Sequence, residues 1–559
     1  MQKRYVAVVI ILLISIISIF NAQKPYFPLK PINIIDNQNY KLNVVLVPLD
    51  SRPACTQFVV DLAKIANIKI ITPPESILDN YKTPADKQAL RSWLLREAKT
   101  ADAAIVSIDM LIHGGLLSSR LSTGTSQDAN EVIALLTKIH QDRPYLPIHA
   151  FSIIPRLLIA DSSQTVQHQK NMLKYSTLKD QIYTFENPVD IEALEKLEQQ
   201  IPPEIIARYN SLYKKNIDLN LALVDLAEKN ILTSLVLGQD DGQPFGMPNI
   251  AKHKLKHHLT QNKNLFDKVF ITRGTDEVAL TIVGKIASHL NSFNPKVYVA
   301  YSDAEAPQIV MPYMPHSVAS TAREKIKLVG GIQVEHPDLA DFILFIHIGT
   351  KSNINILPST AQTVQNYINQ GYKVALVDLS ENFLAEETVF SYLLQQDTKL
   401  NRLIAYAGWN TTSNSIGTAV TQATVFTATL PNTINDDREL LKLYKDNLTF
   451  LTARFLDDWY YLKEVQPFIN NRLKASIIDP YNLGSHYAQT NTIINQFMQN
   501  NCRQLFNTKA FRHPIEIKTA QGKLEAAVTS IKLQTHLPWE RTFEIYLKPE
   551  ITLSEINSK

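Results

Sequence analysis

Short, β-rich apolar runs alternate with helical stretches from residue 43 onward. The runs are Val44–Val47, Ile68–Ile71, Ala103–Ile108, Pro147–Ser152, Ser234–Leu237, Val269–Thr272, Val297–Tyr301, Phe342–His347, Val374–Val377 and Leu403–Tyr406. Each is apolar throughout, as parallel strands covered on both faces are. Between them lie amphipathic segments such as Thr56–Ala66, Asp86–Ala98, Asn130–His140 and Glu277–His289. This alternation predicts an α/β fold. Ten strands are two too many for a simple eight-stranded barrel. The expectation is a modified (β/α) barrel or a related parallel-sheet fold, including a pair of open-sheet subdomains.

Two stretches break the alternation. Residues 159–233 are polar and helical, over Asp190–Gln200 and Pro203–Lys229, and read as an insertion in an α/β main domain spanning 40–435. Residues 436–510 are helical again, and 511–559 carry antiparallel-looking runs (IEIKTA, EAAVTSIKLQ, FEIYLKP), a small β appendage. At the other end, Lys3 and Arg4 precede the apolar run Tyr5–Phe20. That is the pattern of a secretory signal. Ala22 suits cleavage and Phe20 does not, so residues 1–22 are expected to be a signal peptide or an uncleaved anchor, the run being close to the spanning minimum of about 17 residues. Either way the body is expected outside the cytoplasm, secreted or in the cell envelope, touching membrane only through this segment.

Composition narrows the classes. With 45% hydrophobic and 19% charged residues the chain has material for a large core, which excludes a disordered chain. Its 56 basic and 53 acidic residues lack the basic excess of a nucleic-acid binder. Two cysteines, Cys55 and Cys502, are too few for a disulfide scaffold or a cysteine zinc site. The 16 glycines in 559 residues are less than half the usual share of about 7%. Half of them, namely Gly114, Gly115, Gly238, Gly242, Gly246, Gly274, Gly408 and Gly417, fall in segments that follow apolar runs.

Those segments also hold the reactive residues, and carboxyl ends of parallel strands are where ligands bind. They supply Asp50 and Arg52, then Asp109, His113 and Arg120, then Arg156, then Asp240 and Asp241, then Arg273 and Asp276, and last Trp409, Asn410 and Asn414. The strings VPLDSRP, DMLIHGGLLSSR, LGQDDGQPFG, TRGTDEVA and AYAGWNTTSNSIGTA resemble those of a bacterial domain-of-unknown-function family, DUF4127, over roughly residues 42–510. The resemblance implies membership and no assigned chemistry.

The chemistry is argued from the residues. Adjacent aspartates at a strand end point in different directions. Asp240 and Asp241 resemble the pair of barrel glycosidases in which one carboxylate assists the substrate's acetamide and the other is the acid. Asp-Asp-Gly is also a common turn. Trp409, Asn410 and Asn414 would hold a sugar. Asp50, Arg52, Asp109 and Arg120 would line the floor, with His113, Arg273 and Asp276 beside them. Arg52, Arg120, Arg156 and Arg273 either capture an anion or pair with Asp50, Asp109 and Asp276. Asp276 and Glu277 also suit the start of a helix.

The leading expectation is therefore an exported hydrolase acting on N-acetylated or acidic envelope sugars, with a small-molecule or glycan substrate, no cofactor and no nucleic-acid partner. A metal-dependent hydrolase using the same aspartates and His113 is a second possibility, although no ligand spacing supports a metal. A non-catalytic envelope carbohydrate-binding protein is a third. The phosphate-loop, dinucleotide and Gly-x-Ser-x-Gly patterns are missing, which disfavours nucleotide-dependent enzymes and serine hydrolases of that class.

Overall fold

The computed structural model describes residues 40–158 and 166–556, and the backbone of 29–31. The expected leader over residues 1–22 and the first residues of the helical insertion, 159–165, lie outside them. The strands are β1 Leu29–Pro31, β2 Leu42–Val47, β3 Ile68–Ile71, β4 Ala103–Ser107, β5 Ile148–Ile154, β6 Ser234–Gln239, β7 Val269–Arg273, β8 Lys296–Tyr301, β9 Ile332–Val334, β10 Phe342–Gly349, β11 Val374–Ser380, β12 Ala405–Ala407, β13 Ile515–Thr519, β14 Gly522–His536 and β15 Tyr546–Ile556. Each of the ten expected runs overlaps a strand.

They build two open parallel sheets and one antiparallel sheet. The first has the order β3-β2-β4-β5-β6-β7 and the second β12-β11-β10-β8-β9. Taken in chain order within each sheet, both follow the doubly wound pattern 2-1-3-4-5, the first with a sixth strand added. Among the described residues no ladder closes either sheet. The pair of open sheets, not the modified barrel, is what forms. The third sheet, β1-β15-β14-β13, contains the C-terminal strands. It packs on helices Asp437–Arg454 and Tyr487–Asn507 and belongs to one apolar core with the second sheet, a core that includes Ile517, Val528, Leu553, Phe345 and Leu376.

A helical layer joins the two parallel sheets. Helices Gln57–Ile65, Val278–Leu290 and Thr412–Thr433 contribute to one apolar core together with strands of both sheets. Thr412–Thr433 is buried over nearly its whole length, although it carries many threonines. Those hydroxyls are satisfied locally: Thr421, Thr427 and Thr429 donate to carbonyls one turn back at 2.6, 2.7 and 2.8 Å, which lets polar residues sit in a core.

At the head of this layer sits a buried ion pair. Glu277 and Lys325 are both fully buried and 2.5 Å apart. Lys325 also donates to Thr272 Oγ1 at 2.9 Å and to the Arg273 carbonyl at 2.5 Å. The Ser413 hydroxyl lies 2.8 Å from Glu277 Oε1 and 2.6 Å from the Arg273 carbonyl. The end of β7 is thus tied to three helices, those starting at Val278, Val318 and Thr412. Glycine is required here. A Cβ on Gly274, whose φ is +81°, would lie 2.2 Å from Ser413 Oγ and 2.4 Å from Glu277 Oε1. Glu277 stands at the start of the helix Val278–Leu290, as expected, and its charge is paired there with Lys325.

Breaking one partner of a buried pair strands the other charge, at a cost of about 3–5 kcal/mol. Lys325→Met is expected to lose that much stability in urea unfolding, and Lys325→Met/Glu277→Gln to recover part of it. A loss under about 1 kcal/mol in the single variant would show that the pair is not the joint between the layers.

Candidate functional site

The carboxyl ends of both parallel sheets open into one cleft. Its polar part is a cavity of about 370 Å³ bordered by Arg52, Arg120, Arg156, Gln239, Asp240, Asp241, Arg273, Asp276, Asn410 and Asn414. A second cavity of about 480 Å³ continues from it and shares Arg52, Arg156, Asp241 and Asn410. A third, of about 260 Å³, lies behind Arg120 and Asp240 and contains Asp109 and His113. Strand-end placement therefore gathers most of the expected residues, and it separates two of them from the rest.

Most charges in the cleft are already spoken for. Arg52 donates through Nε and Nη2 to Asp50 at 2.9 and 2.7 Å, and through Nη2 to Asp276 at 2.8 Å. It thereby clamps together the loops after β2 and β7, strands separated by β4, β5 and β6. Arg120 grips Asp240 with Nε and Nη2, each at 3.0 Å, the bidentate geometry guanidinium favours. Arg273 turns away to Glu324 at 2.8 Å and to Ser320 at 3.3 Å. Three of the four arginines are neutralised in this way. Arg156 is not: among the described residues its side chain has no ion pair, and its Nε is buried without a partner. It borders all three cavities.

The two adjacent aspartates differ in kind. Asp240 is locked by Arg120, and its Oδ1 also accepts the Asp241 backbone N–H at 2.9 Å. The Asp241 side chain has no hydrogen-bond partner among the described residues and faces both the polar cavity and its extension. Burial, and then the neighbouring Asp240 charge, push its pKa up to about 6, against the pull of Arg120 and Arg156. It holds a proton in slightly acidic water, which an ordinary aspartate does not.

The remaining residues take other parts. Asn410 sits at φ +48° and donates to Asp276 Oδ2 at 3.4 Å. Asn414 is buried with its Oδ1 unpartnered, and so is Gln239 with its Nε2. These atoms are an acceptor and a donor without partners among the described residues, in side chains that border the cleft. Trp409 borders the extension but is packed in the core, its indole N–H donated to Thr418 at 3.1 Å and its ring set edge-on to Phe58 at 5.6 Å. The exposed rings of the cleft belong to other residues.

His113 lies in the third cavity, where its Nδ1 accepts the Gly124 N–H at 2.8 Å. Burial and then Lys87 lower its pKa to about 4. Asp109 faces the same cavity and accepts the Ile153 N–H at 2.9 Å, and burial raises its pKa to about 7. Among the described residues no group of three or more His, Cys, Asp or Glu side chains is arranged to hold a metal ion. Cys55 and Cys502 are free and buried, and burial pushes the Cys55 thiol well above its usual value.

Several cleft residues were not singled out in the sequence. Tyr313 and Phe383 follow β8 and β11, so the strand-end rule reaches them, but no reactive group flags them. Arg541 and Phe543 come from the loop between β14 and β15, whose Trp539 donates to Ser51 Oγ at 3.2 Å. Nothing local in the sequence places that loop beside Arg52. Asp79 accepts the Ser51 N–H at 2.8 Å, and burial and then Asp50 raise its pKa to about 8.

The family described as "Protein of unknown function (DUF4127)" matches residues 44–548, and the chain belongs to it. No curated protein and no solved structure matches the chain.

Asp109 gives a pH signature. Its pKa is raised on folding, so the proton it holds stabilises the fold, and that contribution is lost as pH rises through about 7. At about 1.4 kcal/mol per pH unit, wild-type protein is expected to lose on the order of 4 kcal/mol relative to Asp109→Asn between about pH 4 and 7. A pH-independent difference between the two unfolding free energies would mean that Asp109 titrates like an exposed carboxylate.

Proposed function

We propose that this member of the family is an exported hydrolase that cleaves glycosidic bonds in N-acetylated or acidic envelope sugars, with Asp241 as the proton donor. The observation that carries the reading is the split within the aspartate pair. Asp240 is gripped by Arg120 through both oxygens, while the Asp241 side chain has no hydrogen-bond partner among the described residues and its pKa is raised to about 6. A glycosidase acid needs that environment. In the reaction, protonated Asp241 gives its proton to the leaving-group oxygen as the C–O bond breaks, and the acetamide oxygen of an N-acetyl sugar closes on the anomeric carbon. Water then opens that ring and Asp241 regains the proton. Asp240 serves from its fixed place, its negative charge holding the proton on Asp241.

The sugar's other groups have places to go. Asn414 Oδ1 suits an acetamide N–H, Gln239 Nε2 suits a hydroxyl or carbonyl oxygen, and both are left unpaired by the protein. The guanidinium of Arg156 suits a carboxylate. One observation favours a second reading, a binding protein without turnover: Asp50, Asp240 and Asp276 neutralise arginines, as such a protein would require. The metal-dependent reading is not favoured, because His113 faces a different cavity from Asp241.

Asp241→Asn tests the assignment. On a substrate found by screening N-acetylated and acidic glycans, the folded variant is expected to lose at least about a hundredfold in kcat. Wild-type kcat/KM should fall tenfold per pH unit above about 6 as the donor deprotonates. Unchanged turnover in the variant would remove Asp241 as the proton donor, and a glycan bound by wild-type protein without product formation would replace the hydrolase by the binding reading.

A further inference from the structure

Exposed aromatic rings border the cleft extension. Tyr313 and Phe383, after β8 and β11, are 53% and 40% exposed with centroids 6.4 Å apart. Tyr481 and Phe543 form a second pair, 51% and 39% exposed and 6.3 Å apart. All four border the 480 Å³ cavity that continues from the polar chamber through Arg156, Asp241 and Asn410. Tyr313 and Phe383 also sit at φ +64° and +60°. Bulky residues rarely adopt that conformation, and such positions cluster at functional sites. The chain holds two strained, solvent-facing rings at the mouth of a cleft where glycine would be easier.

We propose that the extension is a binding region for the further sugar units of a glycan chain, so that the substrate is an oligomer or polymer and not a single sugar. This rests on the glycan reading of the polar chamber and adds the length of the substrate to it. The chemistry is specific. A pyranose presents C–H bonds from its faces and hydroxyls from its rim. The C–H face meets the negative face of an aromatic ring, while the rim reaches polar groups such as Gln466 and Lys463 that border the same cavity. Gln466 Nε2 is already donated to the Thr542 and Phe543 carbonyls, and a lipid tail would offer neither group a further hydrogen bond. The two ring pairs come from separate parts of the chain and border the same extension.

Calorimetric titration of folded Asp241→Asn protein with N-acetylglucosamine, its β-1,4 dimer and tetramer, and in parallel with galacturonic acid and its tetramer, tests this. Affinity is expected to rise at least about tenfold from monomer to tetramer in one of the two series. Phe383→Gly and Tyr313→Gly, which suit the positive φ and so keep the fold, should each remove about three- to tenfold of the tetramer affinity. Equal affinity for monomer and tetramer, a length effect indifferent to both glycine variants, or no binding in either series would overturn the proposal. Residual turnover by Asp241→Asn would count against the acid assignment alone and leave the length dependence standing.

Discussion

The buried pair of Glu277 and Lys325 is the joint on which the rest of the molecule turns. Two open sheets share a helical layer, and the place where that layer meets the end of β7 is filled by one carboxylate, one ammonium and the Ser413 hydroxyl. The pair fixes the turn that follows β7. That turn presents Asp276, Asp276 holds Arg52, and Arg52 holds Asp50. A chain of charge pairs therefore runs from a dry joint between helices to the floor of the cleft, each link being satisfied by the next.

The same logic sorts the cleft into fixed and free groups. Guanidinium groups that are paired bidentately or clamped between two aspartates are scaffolding, with their charge cancelled and their geometry set. What this leaves over is small and adjacent: the Asp241 carboxyl, the Arg156 guanidinium, the Asn414 carbonyl and the Gln239 amide. One carboxyl, one cation, one acceptor and one amide donor, held by a rigid surround, form a preorganised site in the sense that matters for catalysis or tight binding. The strained rings of Tyr313 and Phe383 extend this pattern outward, since their backbone conformation is maintained by the loops around them.

Much of this was legible in the sequence because parallel sheets advertise themselves. Runs such as Ala103–Ile108 and Val374–Val377 can be little else than two-face-buried strands, and the rule that sites form at their carboxyl ends brought Asp50, Arg52, Arg120, Asp240, Asp241, Asp276, Asn410 and Asn414 to one cleft. Sheet closure was not legible, because apolar runs carry no record of which strands pair. The partition of the arginines was hidden for a related reason. Arg52 meets Asp276 across 224 positions of sequence, and Arg273 finds Glu324 on another helix, contacts that only the folded chain creates. Trp409 looked like a sugar platform from its place after the last strand, and tertiary packing against Phe58 put it in the core instead. Sparse glycine was the more informative oddity, since Gly274 marks the joint itself.

The fold isolates Asp241 as a carboxyl that keeps its proton in slightly acidic water. Carbon-13 NMR of protein labelled at aspartate side-chain carboxyls reads this directly, with Asp241→Asn assigning the resonance. A signal missing from the variant and titrating near pH 6 is the predicted result. An Asp241 signal that titrates at about 3.9, the value of an aspartate in an unstructured peptide, would contradict it.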